Sequence, residues 1–193
     1  MEKIILLIDG GYLRQISKIK GKIYNPDYIE KCAKKIMEED EKNLLRVLYY
    51  DCSPFEGSTT LPISRKPKKF LTSNWLEELG QKDLFAIRRG KLKFRGYTLK
   101  RESAGKTELT DDDFEPSFEQ KGVDMRIGLD IASYSHNRLV AKIILVTNDT
   151  DCVPTLKYAR RNGISVSLVE FEDYHLSPEL LLHTDKKILK TLP

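Results

Sequence analysis

The 193-residue sequence predicts an α/β fold in which helices cover both faces of a central, mainly parallel sheet of five strands. Two observations lead to this fold class. Short runs of aliphatic residues, bounded by polar residues, are typical of strands that are buried on both faces. Segments with helical spacing separate most of these runs, and such alternation produces right-handed parallel connections. The predicted strands cover residues 3–8, 44–50, 84–87, 143–146 and 164–169.

The segments between these strands predict helices. Pro26 suits the first turn of a helix that runs to about residue 39. Apolar residues occupy more than one face of residues 121–132, which predicts a helix packed deep on the sheet, with Met125 and Leu129 among its apolar positions. Pro178 opens a last helical segment over about residues 177–192. Further helices are predicted at residues 12–19, 67–80 and 155–162, and an extended segment at 114–120.

Length and composition predict one globular domain over residues 1–193, with its core in about residues 3–170. The chain is 40% hydrophobic and 32% charged, which excludes a disordered or low-complexity protein. The apolar run before Asp9 is too short for a signal peptide, and no stretch approaches membrane-spanning length, so a cytoplasmic location is expected. Three scattered cysteines without CxxC spacing argue against a disulfide framework and against a zinc site.

Positive charge is concentrated in the middle of the chain. The net charge is only +4, yet residues 64–106 contain 13 Lys/Arg and 4 Asp/Glu. Residues 84–99 alternate apolar and basic residues around glycines, a pattern typical of a β-hairpin with one basic face. Such a face either contacts phosphate groups or is a solvated edge that its charges protect from aggregation; we favour phosphate contact. The candidate nucleic-acid-binding residues are Arg88, Arg89, Lys91, Lys93, Arg95, Lys121 and Arg126.

Aspartates follow the ends of two apolar strands, where open α/β sheets bind their ligands. Asp9 follows the first strand, and Asp149 and Asp151 lie on the turn after residues 143–146. Asp124 lies in the first turn of a predicted helix whose N-terminus can point at the same edge. Simpler roles exist, because Asp149 or Asp151 could cap the following helix and Asp124 could interact with a helix dipole. Those roles alone do not explain why all four are expected at one edge.

Four carboxylates without a histidine or cysteine partner favour hard cations. Oxygen ligands suit Mg²⁺ or Mn²⁺, and converging carboxylates repel unless a proton or a cation lies between them. Such ions on a phosphodiester polarise its oxygens and activate an attacking water. Gly10 and Gly11, directly after Asp9, are expected to let a ligand approach the backbone closely. The acidic run Asp111–Asp113 is expected to be a solvated part of the loop 103–113.

Three sequence blocks resemble the signature blocks of the NYN domain, and in particular its bacterial LabA-like (DUF88) branch. The blocks are LLIDGGYL, KGVDMRIGLDI and ILVTNDTDCVPTLKYARRNGISV, and the resemblance spans about residues 3–169. It implies a Rossmann-like, three-layer α/β/α PIN-like fold and metal-dependent cleavage of RNA, or less often DNA. Independently of the resemblance, a homodimer is considered as a further partner. The resemblance also implies that the acidic site consists of Asp9, Asp124, Asp149 and Asp151, with Thr147 and Asn148 beside it.

Two positions depart from the family pattern. Tyr12 stands where many members have asparagine, three residues after the first aspartate, and Cys152 stands where phenylalanine is usual. Neither departure removes an expected metal ligand. The leading hypothesis is therefore a metal-dependent endoribonuclease, and the alternative is a nucleic-acid-binding or regulatory module with little catalysis. A Toprim-type domain is disfavoured, because its early strand needs a terminal glutamate where this chain has Asp9.

Overall fold

The computed structural model describes residues 2–71 and 73–193. The strands are β1 (Ile4–Asp9), β2 (Leu44–Cys52), β3 (Gly57–Thr60), β4 (Pro67–Phe70), β5 (Phe85–Leu99), β6 (Phe114–Lys121), β7 (Lys142–Val146), β8 (Ser165–Phe171) and β9 (Lys186–Lys190). The α-helices are α1 (Gly10–Ile19), α2 (Pro26–Met37), α3 (Trp75–Gly80), α4 (Val123–His136), α5 (Val153–Arg161) and α6 (Pro178–Leu181). Short 3-10 helices cover Glu41–Asn43, Arg101–Ser103, Asp111–Asp113 and Thr150–Cys152.

The main sheet has seven strands in the order β6-β5-β2-β1-β7-β8-β9, and β3 and β4 form a separate hairpin. All neighbouring strands of the main sheet are parallel except β5 and β6. The central strand β1 alternates its side chains between two cores. Ile5 and Leu7 pack with residues of α4 and α5, whereas Leu6 and Ile8 pack with residues of α1, α2 and α3. Helices therefore cover both faces of the sheet, which confirms the predicted three-layer α/β fold.

The sheet contains two strands more than the five predicted. Residues 114–120, predicted to be extended, belong to β6, which pairs antiparallel with β5 at one edge. The predicted C-terminal helix over residues 177–192 is wrong, because only Pro178–Leu181 are helical and β9 then pairs with β8 at the other edge. An edge strand needs only one apolar face, and lysines often protect its free side. In β9 (KKILK), Ile188 packs against a core while Lys186, Lys187 and Leu189 are exposed, so the strand signal comes from a single apolar residue.

The predicted hairpin over residues 84–99 is also wrong, because β5 runs through this whole segment as one strand. Its glycines have other roles. Gly90 is buried, and a Cβ there would lie 2.8 Å from Cys52 Sγ and from the Lys121 carbonyl. Gly96 has φ +107° at a register shift between β5 and β6, which is typical of a β-bulge. The hairpin in this part of the chain is formed instead by β5 with β6.

Three further expectations change in detail. The predicted helix over residues 67–80 divides into β4 and α3. Helix α4 buries Val123, Ile127 and Ile131, but Met125 and Leu129 are exposed, so only one face packs on the sheet. The acidic run 111–113 is not simply solvated, because Asp113 is buried and accepts hydrogen bonds from Ser103 Oγ, Lys106 Nζ and the Thr110 backbone amide. None of the helices in the described residues is both long enough and apolar enough to cross a membrane.

Candidate active site

The four predicted aspartates lie at the carboxyl ends of β1 and β7 and at the start of α4. Asp9 is the last residue of β1, and Asp149 and Asp151 follow the adjacent parallel strand β7. Asp124 is the second residue of α4, directly after β6 and Gly122. A cleft of about 620 Å³, called here the acidic cleft, is lined by three of the four, Asp9, Asp124 and Asp149. Asp151 is exposed beside the cleft.

Two hydrogen bonds orient Asp9. Its Oδ1 accepts from the Tyr12 backbone amide at 3.2 Å, which caps helix α1, and its Oδ2 accepts from the Thr147 hydroxyl at 3.1 Å. The buried Thr147 hydroxyl also accepts from the Asp149 backbone amide at 3.2 Å. Thr147 therefore links the ends of β1 and β7 and holds Asp9 next to the turn that carries Asp149.

The turn after β7 shows that capping and ligand binding are compatible. Asp149 Oδ1 accepts from the Asp151 backbone amide at 2.9 Å and caps the 3-10 helix Thr150–Cys152. An ionised carboxylate has about four acceptor positions, so this bond leaves most of the acceptor capacity of Asp149 free. The same holds for Asp9, which caps α1. The two explanations considered for these residues therefore do not exclude each other.

Burial and mutual repulsion raise the pKa values of Asp9 and Asp124. Loss of hydration is the main cause for Asp9, and the charge of Asp124 adds to it, against hydrogen bonds from Tyr12 and Thr147 that lower the pKa. Loss of hydration is also the main cause for Asp124, followed by the charges of Asp149 and Asp151. Their neighbours are thus close enough to disfavour the ionised forms of Asp9 and Asp124.

No basic side chain compensates this negative charge. Among residues 2–71 and 73–193, the ion pairs of Lys, Arg and His involve none of the four aspartates. A cluster of carboxylates that no ion pair compensates among the described residues is the kind of donor set that a hard divalent cation prefers.

The fit to a metal has a limit. Within the described ranges, no three His, Cys, Asp or Glu side chains are grouped so that they could hold a metal ion together. Mg²⁺ usually keeps several waters and binds through one or two carboxylates and the phosphates of a substrate. The residues present therefore fit an ion whose coordination is completed by water and phosphate, and they do not form a closed protein cage.

The wall of the acidic cleft contains residues that the sequence reasoning missed. Segment 173–175 follows β8, and Gln120 is the penultimate residue of β6, close to Gly11. Asn148 holds part of this wall, because its side chain donates to the His175 carbonyl at 3.4 Å and accepts from the Ser177 amide at 2.7 Å. The rule that found Asp9 and Asp149 could have found segment 173–175, since β8 ends at the same edge of the sheet.

Tyr12, the departure from the family pattern, also lines the acidic cleft. Its hydroxyl is buried and has no hydrogen-bond partner among the residues described. Burial, together with the nearby charges of Glu170 and Asp9, raises the pKa of Tyr12 to about 12. Tyr12 is therefore a neutral hydrogen-bond donor at the wall of an acidic site.

Asp51, a third aspartate at a strand end, has a structural role. It is 1% exposed and pairs with Arg14 of α1, and it accepts hydrogen bonds from the Tyr49 hydroxyl and the Cys52 amide. The Arg14 guanidinium also lies over the rings of Tyr24 and Trp75. These contacts hold α1 on β2 behind the acidic cleft.

The predicted basic residues differ in how free their charges are. Arg88 pairs with Asp130, Arg89 with Glu77, and Arg95 with Glu119. Lys121 Nζ lies 3.6 Å from Glu119, and Arg126 donates to the Gly122 carbonyl. Lys91 and Lys93 have no carboxylate partner in the part of the chain that the structure describes.

Replacing Asp124 with asparagine is expected to stabilise the metal-free protein. The folded state raises the Asp124 pKa, so it binds the proton more tightly than the unfolded chain does. The stability from this group is present at low pH and is lost as the pH rises through the raised pKa. Relief of like-charge repulsion of roughly 0.5 kcal/mol corresponds to a gain of about 1–2 °C in Tm at neutral pH.

Thermal melts in EDTA at neutral and acidic pH measure this effect. The gain should shrink at acidic pH, where the parent carboxylate is protonated. Asp112→Asn is the matched control, because Asp112 is exposed and lies outside the acidic cleft. A Tm below that of the parent at neutral pH would instead mean that the helix dipole stabilises ionised Asp124 more than its neighbours repel it.

Comparisons with known proteins agree with this architecture. A crystal structure of a protein of unknown function from Vibrio parahaemolyticus is similar, with a TM-score of 0.52 and 12% sequence identity, over 97% of this chain and 93% of that chain. At this identity the likeness concerns the fold alone. A search of curated proteins gives no match. The family model described as "NYN domain" matches residues 3–190, nearly the whole chain. The protein therefore belongs to the NYN domain family, a nuclease-like module of the PIN-like nuclease superfamily.

Proposed function

We propose that this protein is a metal-dependent nuclease that hydrolyses phosphodiester bonds, with RNA as its substrate. One observation carries the proposal. Aspartates from three separate segments, Asp9, Asp124 and Asp149, line one cleft at the carboxyl edge of the sheet, and no basic side chain among the described residues neutralises them. Membership of the NYN family supports a nuclease-like role.

One or two of the carboxylates of Asp9, Asp124 and Asp149 would hold Mg²⁺ or Mn²⁺, with water and substrate phosphate oxygens as its other ligands and Asp151 close by. When bound, such an ion polarises the phosphate oxygens and lowers the pKa of an attacking water. The chain itself orients the carboxylates in advance, through Thr147 on Asp9 and the Asp151 amide on Asp149. Preorganised charges of this kind are effective because they need no rearrangement during the reaction.

The choice of RNA and of the LabA-like branch rests on the three sequence blocks and on the excess of positive charge in residues 64–106. The unpaired lysines Lys91 and Lys93 lie on the strand β5, and Lys121 and Arg126 flank Asp124 along the chain. Cations beside an acidic metal site suit a polyanionic substrate better than a small neutral one.

The direct test uses purified protein and a fluorescein-labelled single-stranded RNA, with products separated on a denaturing gel. Cleavage is expected with Mg²⁺ or Mn²⁺ and should stop in excess EDTA, then return when the metal is restored. Cleavage that persists unchanged in EDTA after dialysis would contradict a metal-dependent mechanism.

A second candidate is a nucleic-acid-binding or regulatory module with little catalysis. The absence of a preformed metal-holding group within residues 2–71 and 73–193 favours it, as does Tyr12 in place of the usual asparagine. This candidate predicts salt-dependent RNA binding that EDTA does not change and that no metal converts into cleavage.

A further inference from the structure

The β3–β4 hairpin packs on the antiparallel pair β5–β6 through a cluster of four phenylalanine rings. Phe55 precedes β3, Phe70 lies in β4, Phe94 in β5 and Phe118 in β6. Phe55 lies 5.5 Å from Phe70, 5.9 Å from Phe94 and 5.4 Å from Phe118, measured between ring centroids. These four side chains are half-buried and belong to neither core of the main sheet. The cluster therefore presents aromatic surface to solvent as well as joining the hairpin to the sheet.

The hairpin is held in a defined position. The Thr59 hydroxyl and the Tyr97 hydroxyl are 2.7 Å apart, and Asp111 accepts from the backbone amides of Ile63 at 2.9 Å and Ser64 at 3.2 Å. A hydrogen bond from the Ser64 side chain, followed by those from the two backbone amides, lowers the pKa of Asp111 and keeps it ionised. The hairpin is thus a preorganised arm with little conformational entropy to lose on binding a ligand.

The cationic side chains of the arm form no ion pairs among the described residues, although the charge of Lys66 acts on Asp111 from a distance. Its exposed cationic side chains lie in the turn and in β4, and none of them pairs with a carboxylate within the described part of the chain. This contrasts with the arginines of β5, which are paired with Asp130, Glu77 and Glu119. Lys68 Nζ also lies 5.7 Å from the centroid of Phe70, which combines cation and ring at one place. The unpaired cations of the arm are Arg65, Lys66, Lys68 and Lys69.

A groove of about 560 Å³, called here the basic groove, borders the same aromatic cluster, because Phe55 and Phe94 belong to its lining. Lys91 and Lys121 are directly opposite each other in the antiparallel pair β5–β6, an arrangement in which like charges repel. An anion between them would relieve that repulsion. The basic groove is lined by Phe55, Lys91, Lys93, Phe94, Lys121 and Arg126.

The basic groove and the acidic cleft are neighbours. Gln120 and Asp124 line the acidic cleft, while Lys121, Gly122 and Arg126 line the basic groove. The segment that joins β6 to α4 therefore forms the boundary between the two.

We propose that the β3–β4 hairpin and the basic groove form a binding arm for single-stranded RNA, which leads one strand to the acidic cleft. This inference rests on the proposed nuclease function and specifies the form of its substrate. Half-buried aromatic rings beside unpaired cations are the combination that binds single strands, with bases stacked on rings and phosphates on lysines. A duplex hides its base faces and would use the cations alone.

The test is fluorescence anisotropy with a fluorescein-labelled single-stranded RNA in EDTA, using the catalytically impaired Asp149→Asn protein so that the probe stays intact. The arm variant combines Arg65→Gln, Lys66→Gln, Lys68→Gln and Lys69→Gln. It should bind at least about 10-fold more weakly. The negative slope of log affinity against log salt concentration should also become shallower by about 3, because each of the four lost phosphate contacts contributes about 0.7 to its magnitude.

A control variant removes the same charge elsewhere. It combines Lys31→Gln, Lys42→Gln, Lys157→Gln and Lys186→Gln, at exposed positions on α2, α5, β9 and the turn before β2. This control should bind like the parent. A second variant, Phe55→Leu, keeps an apolar side chain but removes the ring, and should weaken binding about 10-fold with little change in the salt slope. Unchanged Tm values show that each variant is folded.

Three results would overturn the proposal: parent-like affinity of the arm variant, an equal loss in the control variant, or equal or tighter binding of the same RNA annealed to its complement. Failure of the arm is distinguishable from failure of the nuclease function. If Asp149→Asn still cleaves RNA while the arm variant loses binding, the active-site assignment fails and the arm stands. If cleavage needs Asp149 and the arm variant binds like the parent, the arm alone fails.

Discussion

Asp149→Asn is expected to lower the rate of RNA cleavage by at least about 100-fold, the scale of loss seen when one preorganised electrostatic group is removed from an active site. Asparagine keeps an acceptor oxygen, so the cap on the Asp151 amide remains. What is lost is one negative charge next to the proposed metal position. Gel assays of cleavage under saturating Mg²⁺ or Mn²⁺ measure the effect.

Asp112→Asn serves as the control for this experiment, because it removes an equal charge from an exposed position outside the acidic cleft. It should cleave like the parent. The Tm of Asp149→Asn should also remain close to that of the parent, which separates lost chemistry from lost folding. If Asp149→Asn cleaves RNA as fast as the parent, Asp149 has no catalytic role and the site assignment is wrong.

Gly10→Ala is expected to destabilise the protein by about 2–3 kcal/mol, because the added methyl group has no space. A Cβ at Gly10 would lie 2.6 Å from Tyr49 Cζ and 2.8 Å from Asp51 Oδ2, in the buried contact between α1 and β2. The Tyr49 ring is fixed by hydrogen bonds to Tyr24 and Asp51 and cannot easily move away. For a chain of this size the corresponding loss in Tm is about 5–10 °C.

Gly11→Ala is the matched control, one residue further along α1. A Cβ there would lie 3.3 Å from Asp9 Oδ1 and 3.5 Å from Gln120 Oε1, both on side chains at the open cleft. Alanine is also the better helix former, so the melting temperature of Gly11→Ala should equal or exceed that of the parent. Equal melting curves for Gly10→Ala and Gly11→Ala would contradict the proposed tight packing at Gly10.

The two glycines show why sequence alone was incomplete at this point. Both were expected to admit a ligand to the backbone, but only Gly11 lines the acidic cleft, whereas Gly10 makes room for Tyr49 and Asp51. The contact depends on how α1 lies across β2, and no local pattern encodes that. The same limit applies to Arg88 and Asp130, which are distant in sequence and pair only because α4 crosses β5.

The central strands were predictable for a physical reason. A parallel strand that is buried on both faces must be apolar throughout, so β1, β7 and β8 are visible as aliphatic runs. Edge strands carry a weaker signal, and β9, in which Lys186, Lys187 and Lys190 surround two apolar residues, was mistaken for a helix. The strand-end aspartates were predictable because parallel strands bring their carboxyl ends to one edge. The wall residue Gln120 could be found only from the three-dimensional arrangement, because no local pattern places the edge strand β6 beside the acidic cleft.

The most direct test of the central claim is a crystal of the protein soaked in Mn²⁺ and measured for anomalous scattering. An anomalous peak is expected in the acidic cleft, within coordination distance of Asp9, Asp124 or Asp149, with the remaining positions of the ion filled by water. The peak should disappear in a crystal of Asp149→Asn soaked in the same way. The contradicting result has two parts. The protein in solution needs Mn²⁺ to cleave RNA, yet the soaked crystal shows a well-ordered cleft with no anomalous peak. These aspartates would then not be the metal site.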